Sequence, residues 1–332
     1  MQFDMEHDMM KLFQYERIDR AHARFEGEFA MHEGIPVYLA QLLCAQYGEE
    51  TAERIAQGYE AQRAVTLRVN PLKGNAQTVK EKLEALGIAV TPVSWYGDAM
   101  IVHDVREDAL EKLPMYEAGE IYLQSLSSMI PPLLMGTKPG ENVLDMAAAP
   151  GGKTTQIAAL TGNQAMITAC EMNKIRADRL KYNVQRQGAS RVTVMNIDSR
   201  NMDDLFSFDR ILLDAPCSGS GTVQLGNPRS KGQFNVKFLE KTTKQQTALL
   251  EKALRLLRPG CEMIYSTCSV LAQENENIVA RVLRKASAEV VPLKLDAFSC
   301  VPQLPVSIPG TLCVCPDALH EGFFVAKIRR RK

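Results

Sequence analysis

The sequence lacks any long hydrophobic run. No apolar stretch in its 332 residues approaches the roughly 18 residues that a membrane-spanning helix needs. The first ten residues, MQFDMEHDMM, are acidic and contain no apolar core of the kind that begins a secretory signal peptide. We find no internal repeat and no low-complexity tract. We therefore expect a soluble, cytoplasmic, monomeric protein with no membrane partner.

The sequence also lacks a disulfide or zinc pattern. Its eight cysteines are scattered along a long chain, which favours reduced thiols over a disulfide framework. Cys313 and Cys315, with Cys300 and His320 nearby, form a Cys-x-Cys pattern rather than the Cys-x₂-Cys spacing typical of zinc sites. We therefore expect no bound metal.

Net charge is zero, but the charge is unevenly distributed. Residues 1–60 hold 12 acidic and 5 basic residues, whereas the rest of the chain holds 27 acidic and 34 basic residues. A basic body is compatible with a polyanionic partner such as RNA. Charge alone favours a simpler interpretation, a solvated surface with a basic tail.

Patterns along the chain indicate three regions. Residues 1–60 have the apolar spacing of helices, and residues 61–115 combine strand-like alternation with one amphipathic helix, which predicts a small α+β module. Residues 116–332 contain five apolar runs separated by helical segments, the pattern of a doubly wound parallel α/β sheet. The five runs are ENVLDMA, AMITACE, RVTVMNID, DRILLDA and CEMIYSTCS.

Polar or reactive residues follow each of these five runs. Ligands of doubly wound sheets bind beyond the carboxyl ends of the strands. One such residue has an ordinary explanation as a cap, a turn or a buried thiol, but five at five strand ends predict an active site. They are the loop at 147–153, Glu171, Asp198, Asp214 with Cys217 after it, and Thr267 with Cys268.

The stretch NVLDMAAAPGGKTTQIAAL allows more than one interpretation. It matches a relaxed phosphate-loop pattern, and RILLDAP ends on Asp214 as a magnesium-binding strand would. However, Ala147 replaces the first glycine of that pattern, and Pro150 lacks one of the N–H groups that would bind phosphate. An NTPase is therefore the less favoured interpretation.

A nucleoside cofactor suits the same segment better. Asp145 ends a strand before a loop of small residues, and Gly151 and Gly152 would allow close approach of a ligand to the backbone. Glu171, 18 residues after Lys153, is placed to bind a ribose diol. Asp198 at the next strand end suits an adenine amine. This spacing fits S-adenosylmethionine and a dinucleotide equally well.

Two cysteines favour methyl transfer. A thiolate that adds to carbon 6 of cytosine makes carbon 5 nucleophilic enough to accept a methyl group from a sulfonium. Cys217 and Cys268, at the ends of neighbouring strands, fit this chemistry, and Lys153 could supply the positive charge that a thiolate needs. The alternative is that each cysteine is a small buried hydrophobic residue. The residues alone do not indicate which cysteine would attack the base.

The motifs together resemble the Sun/Nop family of RNA cytosine-C5 methyltransferases, whose bacterial members include the small-subunit ribosomal RNA methyltransferases B and F. The resemblance runs from about residue 30 to the end of the chain. It rests on RVNPLKGN, GEIYLQSLSSMIPPLL, DMAAAPGGKTTQ, DAPCSGSGT, YSTCSV followed by ENE, and HEGFFVAKIRR. It implies a Rossmann-like S-adenosylmethionine-dependent methyltransferase domain with a smaller N-terminal α+β RNA-binding region.

The resemblance also implies roles for individual residues. Cys268 would attack the cytosine, and Cys217 would help to release the methylated RNA. Lys153 and Asp214 would lie beside the target base, and Arg68 and Asn70 would bind RNA. The cofactor would contact Ala147, Ala148, Ala149, Pro150, Gly151, Gly152, Lys153, Glu171, Arg176, Asp198 and Asp214.

The expected product is 5-methylcytosine in RNA. Ribosomal RNA is the favoured substrate, and transfer RNA is an alternative. Two other classes stay open, a P-loop-like nucleotidase and a non-catalytic RNA-binding assembly factor with the same fold.

Overall fold

The computed structural model describes residues 34–226 and 234–332. The first part of the predicted helical region 1–60 and the segment after Leu225 that carries Arg229 and Lys231 therefore lie outside the described residues. The helices are α1 Val37–Tyr47, α2 Glu49–Glu60, α3 Ala76–Ala85, α4 Glu107–Leu110, α5 Pro114–Glu117, α6 Leu126–Met135, α7 Gly152–Leu160, α8 Lys174–Arg186, α9 Val236–Leu256 and α10 Glu276–Leu283.

The strands form two separate sheets. Their bounds are β1 Val65–Val69, β2 Val90–Val93, β3 Tyr96–Val102, β4 Ile121–Leu123, β5 Asn142–Asp145, β6 Met166–Cys170, β7 Val192–Met195, β8 Phe208–Asp214, β9 Leu257–Thr267, β10 Ala288–Val291, β11 Leu312–Val314 and β12 Phe323–Arg330.

The smaller sheet is antiparallel, with the strand order β2-β3-β1-β4. Helix α3 packs on it and buries Val79 and Leu83. Asn75 begins this helix, and its side chain accepts a hydrogen bond from the N–H of Thr78, as an N-cap residue does. Strand β4 pairs with β1 through Val69 and Ile121, so the small sheet extends beyond the predicted limit at residue 115.

The larger sheet has the strand order β10-β12-β9-β8-β5-β6-β7, with β11 paired to β12. Strands β5 to β9 run parallel, and β12 runs antiparallel to β9. From β5 the chain adds β6 and β7 on one side and then β8 and β9 on the other side. This reversal of strand order is that of a doubly wound sheet, so the predicted α/β fold is confirmed. The five apolar runs correspond to β5 to β9. Both faces of these strands are buried, one face through Val143, Ile167 and Leu212 and the other through Leu144, Ile211 and Leu213.

Helices α1 and α2 pack against the larger sheet, close to the cysteine loops. Tyr59 donates a hydrogen bond to the carbonyl of Ser220 at 2.6 Å, and Tyr47 donates one to the carbonyl of Val270 at 2.6 Å. Both tyrosines stay neutral, since burial raises the pKa of each phenol. The N-terminal helices thus support the loops that follow β8 and β9.

Among the described residues, no helix is both long and apolar enough to span a bilayer.

Candidate active site

The carboxyl ends of β5, β8 and β9 meet at one cleft. Asp145 ends β5 and is buried, and its Oδ2 accepts a hydrogen bond from Thr154 at 2.7 Å. Its Oδ1 is also buried and accepts no hydrogen bond of normal geometry, although the backbone N–H of Ala147 lies near the carboxylate. Burial raises the pKa of this carboxyl to about 6. A buried acceptor without a donor is a feature expected of a site that binds a ligand.

The loop between β5 and α7 turns sharply at Gly151. This residue has a φ of 110°, a conformation that a side chain disfavours. A Cβ at this position would lie 2.9 Å from the side chain of Leu180 in α8. The glycine is therefore required by backbone conformation and helix packing, whereas the sequence had suggested ligand approach as the reason. The peptide between Ala149 and Pro150 is cis.

Lys153, on the first turn of α7, points into the cleft and pairs with Asp214. Its ammonium lies 2.7 Å from Asp214 Oδ2 and 2.8 Å from Ser128 Oγ, and 5.1 Å from the ring centre of Phe323. Ser266 donates a hydrogen bond to the other carboxylate oxygen of Asp214 at 2.8 Å. The pair is mostly shielded from water, so its charges act strongly on any group beside it.

The two cysteines predicted to react lie side by side. The Sγ atoms of Cys217 and Cys268 are 3.2 Å apart, and both residues are free thiols. The hydrogen bond with Cys268, together with burial, raises the pKa of Cys217 well above that of an ordinary thiol. Cys217 therefore keeps its proton and can donate it to the sulfur of Cys268. Of the two thiols, Cys268 lines the cleft that also contains Lys153 and Asp214.

A cleft of about 1000 Å³ connects these groups. It lies between the two sheets, with Tyr122 of strand β4 and Gln124 just after that strand on one side and the strand ends of the larger sheet on the other. Cys268, Lys153 and Asp214 line it together with Asp145 and the loop residues Ala147, Ala148, Ala149, Pro150 and Gly152. A volume of this size is large enough for a nucleotide-sized ligand.

Glu171, Arg176 and Asp198 lie on the other side of the loop, outside the lining of this cleft. Glu171 is buried; its Oε1 accepts a hydrogen bond from the N–H of Asn173 at 2.8 Å, and its Oε2 lies 3.5 Å from Arg176 Nε. Arg176 also donates a hydrogen bond to the carbonyl of Ala149 at 3.0 Å. The loop thus separates two groups of predicted site residues.

Asp198 is engaged by a neighbouring arginine. Arg200 donates hydrogen bonds to both of its carboxylate oxygens, at 3.0 and 2.5 Å. These bonds lower the pKa of Asp198, so the carboxylate stays ionised. Each carboxylate oxygen accepts two hydrogen bonds from Arg200, counting its backbone N–H, so a ligand amine that binds Asp198 must share an oxygen with Arg200 or replace one of these bonds.

Sequence comparison identifies the family. The family described as 16S rRNA methyltransferase RsmB/F matches residues 132–329, and the ferredoxin-like domain described for RsmF/B-like methyltransferases matches residues 35–106. The chain belongs to the RsmB/F methyltransferase family. The predicted membership of the Sun/Nop group is confirmed.

Curated relatives in this family are identical to the chain at about a third of the aligned positions. Ribosomal RNA small subunit methyltransferase F of Shewanella amazonensis is 35% identical over 271 residues, which is 80% of this chain and 58% of that protein. The protein of the same name from Erwinia tasmaniensis is 35% identical over 275 residues, 80% of this chain and 57% of that protein. The chain thus spans somewhat more than half the length of these relatives.

Solved structures have the same fold. A methyltransferase homologue from Pyrococcus horikoshii aligns with a TM-score of 0.77 and 31% identity, over 95% of this chain and 99% of that chain. The structure of NSun6 from Pyrococcus horikoshii with SFG aligns with a TM-score of 0.81 and 23% identity, over 90% of this chain and 99% of that chain. Both cover the smaller and the larger sheet, which confirms the predicted Rossmann-like methyltransferase fold with an N-terminal α+β region.

Arg68 and Asn70, the residues that the RsmB/F-type motif suggested for RNA binding, are buried instead. Arg68 donates hydrogen bonds to Thr155 Oγ1 at 3.0 Å and to Gln124 Oε1 at 3.1 Å. Asn70 donates to the carbonyls of Gly119 and Gln187. Their burial corrects the expectation of direct RNA contact, because neither side chain presents a surface to a partner. Both join the smaller sheet to the methyltransferase domain.

Some residues of this RsmB/F site were not predicted. Ser128 and Ser266, which hold Lys153 and Asp214, have no spacing that marks them. The available signal was their place in two quoted motifs, Ser128 in GEIYLQSLSSMIPPLL and Ser266 two residues before Cys268 in YSTCSV. Cys313 lies in strand β11 and Cys315 directly follows it, with both thiols buried, and no metal-binding cluster is found among the residues that the structure describes.

Proposed function

We propose that this RsmB/F family member is an S-adenosylmethionine-dependent methyltransferase that forms 5-methylcytosine in RNA. The observation that carries the proposal is the pair of cysteine sulfurs 3.2 Å apart beside the Lys153–Asp214 ion pair. Ribosomal RNA is the favoured substrate, because the curated relatives are named ribosomal RNA small subunit methyltransferase F.

The residues around the loop fit S-adenosylmethionine. The unpartnered Oδ1 of Asp145 can accept a hydrogen bond from a ligand ammonium. Glu171 at the end of β6 is placed to accept hydrogen bonds from a ribose diol, and Asp198 at the end of β7 to accept one from the adenine amine. We therefore assign Ala147 to Lys153, Glu171, Arg176, Asp198 and Asp214 to the cofactor site. When bound, the cofactor supplies a methyl group on a positively charged sulfur.

Cys268 acts as the nucleophile in this proposal. Its thiolate adds to carbon 6 of the cytosine, and the electron pair of the 5,6 double bond becomes available at carbon 5 for the methyl group. Asp214 accepts a hydrogen bond from the amino group of the base, and Lys153 stabilises negative charge that develops on the ring.

Cys217 acts after methyl transfer. A base from solvent takes the proton on carbon 5, the electron pair of that C–H bond re-forms the double bond, and the bond from carbon 6 to Cys268 breaks so that Cys268 departs as a thiolate. Cys217 is the ionisable group in contact with Cys268, and we assign it the role of assisting this elimination. Without it the methylated RNA stays bonded to the protein.

The other classes fit the site less well. Lys153 is engaged with Asp214 and Ser128, whereas a phosphate-loop lysine must be free to reach phosphates. A non-catalytic assembly factor has no need of a cysteine in the cleft with a second thiol in contact with it. Transfer RNA stays an alternative substrate, since the cleft selects a base and not a particular RNA.

The test measures transfer of labelled methyl groups to small-subunit ribosomal RNA and to transfer RNA. We expect Cys268→Ala to abolish transfer and Cys217→Ala to accumulate a covalent protein–RNA adduct, visible as a shifted band under denaturing electrophoresis. Bisulfite sequencing of the RNA then identifies the modified cytosine. Full activity of Cys268→Ala, or free RNA without adduct in Cys217→Ala, would contradict the assigned roles.

A further inference from the structure

Two adjacent residues connect the loops that carry the cysteines. Glu274 and Asn275 directly precede helix α10, and both are fully buried. They belong to the ENE motif that follows YSTCSV in the sequence. The proposed reaction assigns them no chemical step, yet each contacts residues next to one of the two cysteines.

Glu274 holds the loop that follows β8 and carries Cys217, here named the Cys217 loop. Its carboxylate accepts hydrogen bonds from the N–H of Ser218 at 2.8 Å and from the hydroxyl of Ser218 at 2.5 Å. Gln246 of helix α9 donates a third hydrogen bond to Glu274 at 3.2 Å and also binds the carbonyl of Pro216 at 2.9 Å. The backbone is therefore fixed on both sides of Cys217.

Asn275 holds the loop that follows β9 and begins with Cys268, here named the Cys268 loop, in the same way. Its side-chain oxygen accepts a hydrogen bond from the hydroxyl of Thr267 at 2.5 Å, and its amide donates one to the carbonyl of Ser269 at 2.9 Å. Thr267 and Ser269 flank Cys268 in the sequence. One buried amide thus fixes the backbone before and after the second cysteine.

We propose that Glu274 and Asn275 form a clamp that positions the two sulfurs, Glu274 through the Cys217 loop and Asn275 through the Cys268 loop. Because the two residues are neighbours in the chain, they tie both loops to one point and set the 3.2 Å separation of the sulfurs. The significance of the clamp for catalysis rests on the proposed function, but its effect on the cysteine geometry does not.

The cost of burying Glu274 supports a positioning role. A carboxylate removed from water is costly unless hydrogen bonds compensate it. Its three donors, a backbone N–H, a hydroxyl and an amide, are all neutral. The negative charge of Glu274 also acts on Cys217, since it contributes to the raised pKa of that thiol. Glu274 thereby helps to keep the proton on Cys217 while Cys268 reacts.

The first test uses phenylarsine oxide, which needs neither RNA nor cofactor. The trivalent arsenic condenses with two thiols, forms two arsenic–sulfur bonds and releases one water, so tight binding requires two sulfurs held close together. We expect the wild-type protein to bind it tightly and Cys217→Ser to lose that binding. Glu274→Gln and Asn275→Ala should each weaken binding about tenfold, the effect of losing one or two hydrogen bonds to a buried group.

The second test separates the two halves of the clamp during turnover. We expect Asn275→Ala to slow formation of the covalent RNA adduct, because the Cys268 loop moves. Glu274→Gln should instead form the adduct and accumulate it, because the Cys217 loop moves. Rapid quenching with labelled RNA measures both rates. If Glu274 and Asn275 only stabilised the fold, Glu274→Gln and Asn275→Ala would both be slow in the same step.

Glu276→Gln is the matched control. Glu276 is a buried carboxylate two residues from Glu274, but its oxygen accepts a hydrogen bond from the N–H of Ser307, away from both cysteines. We expect this variant to bind the arsenical and to turn over as the wild type does. If Glu274→Gln fails to fold, Ser218→Ala removes one hydrogen-bond donor of Glu274 and tests its contact with the Cys217 loop. If Asn275→Ala fails to fold, Thr267→Val removes the hydroxyl that Asn275 binds and tests its contact with the Cys268 loop.

Equal arsenical affinity in the wild type, Glu274→Gln and Asn275→Ala would overturn the clamp. So would an equal loss in Glu276→Gln, or the same slowed step in both clamp variants. A different result would refute the proposed function. Methyl transfer by Cys268→Ala would do so, and it would not alter the arsenical affinities of the clamp variants.

Discussion

At the scale of single residues, Asp145 shows how the site is maintained at a cost in stability. A buried carboxyl with one unpartnered oxygen destabilises the folded state when it is ionised. Proteins retain such a group where a ligand needs it, and a ligand that donates a hydrogen bond to the free oxygen removes the destabilisation. The cost can be measured, because it depends on pH.

We predict that Asp145→Asn removes a pH dependence of stability. The folded-state pKa is about 6 and an unfolded aspartate titrates near ~3.9. Between these values the folded protein retains a proton that the unfolded chain has lost, so the free energy of unfolding falls as pH rises and is constant above about 6. From pH 4 to pH 7, the free energy of unfolding of the wild type should fall relative to that of the variant by about 2 kcal/mol.

Urea unfolding at several pH values measures this shift. Asp108→Asn is the control, because Asp108 is exposed and its replacement should leave the pH profile unchanged. Parallel profiles for the wild type and Asp145→Asn would show that Asp145 is ionised at no cost.

Lys153 provides the second prediction at this scale. Replacing it with methionine keeps the volume of the side chain but leaves Asp214 without its cation. We expect the rate of methyl transfer in a single turnover to fall by about 100-fold or more, the typical loss when a preorganised charge is removed. Lys138→Met changes an exposed lysine and should be neutral. A loss confined to substrate affinity would assign Lys153 to binding alone.

At the scale of elements, the Cys217 loop depends on a close backbone crossing. Gly221 donates a hydrogen bond to the carbonyl of Cys268 at 3.0 Å, and its own carbonyl accepts one from Gly322 at 2.8 Å. A Cβ at Gly221 would lie 2.0 Å from the carbonyl oxygen of Gly322, closer than atoms can approach. The glycine is thus needed so that the two segments can cross beside the cysteines.

We predict that Gly221→Ala displaces the Cys217 loop. The added methyl group forces a backbone shift that should cost about 1–3 kcal/mol and should slow release of methylated RNA more than its formation. Gly97→Ala is the control, because a Cβ there meets nothing within 4 Å. Thermal unfolding and adduct electrophoresis measure the two effects. Wild-type release by Gly221→Ala would show that the loop tolerates the shift.

The sequence predicts elements better than their contacts. Five strands could be located because each is a buried apolar run, and the helix from Lys174 could be located because Asn173 caps it, as the structure confirms. Strand β11 was not identified, since three residues in a cysteine-rich stretch carry no periodic signal. The site residues Ser128 and Ser266 also escaped prediction, because each comes next to its partner only through the tertiary fold.

At the scale of the whole molecule, the two sheets are joined by buried polar groups, and the cleft lies at that joint. Burial of Arg68 was unpredictable from sequence, since arginine is usually exposed. Its guanidinium reaches the helix that carries Lys153, and it lies over the ring of Tyr122 at 5.7 Å. A change at this arginine should therefore affect both the stability of the joint and the geometry of the site.

Arg68→Ala tests this coupling. Loss of a fully buried side chain leaves a cavity and leaves Thr155 and Gln124 without their donor, which should cost about 3 kcal/mol or more. We also expect faster amide hydrogen exchange in the smaller sheet than in the large one, because the joint between them is weakened. Arg106→Ala, an exposed arginine in the same region, should change neither quantity. If Arg68→Ala instead kept its stability and lost only RNA affinity, the arginine would bind RNA as the motif suggested and its burial would have to be relieved when RNA binds.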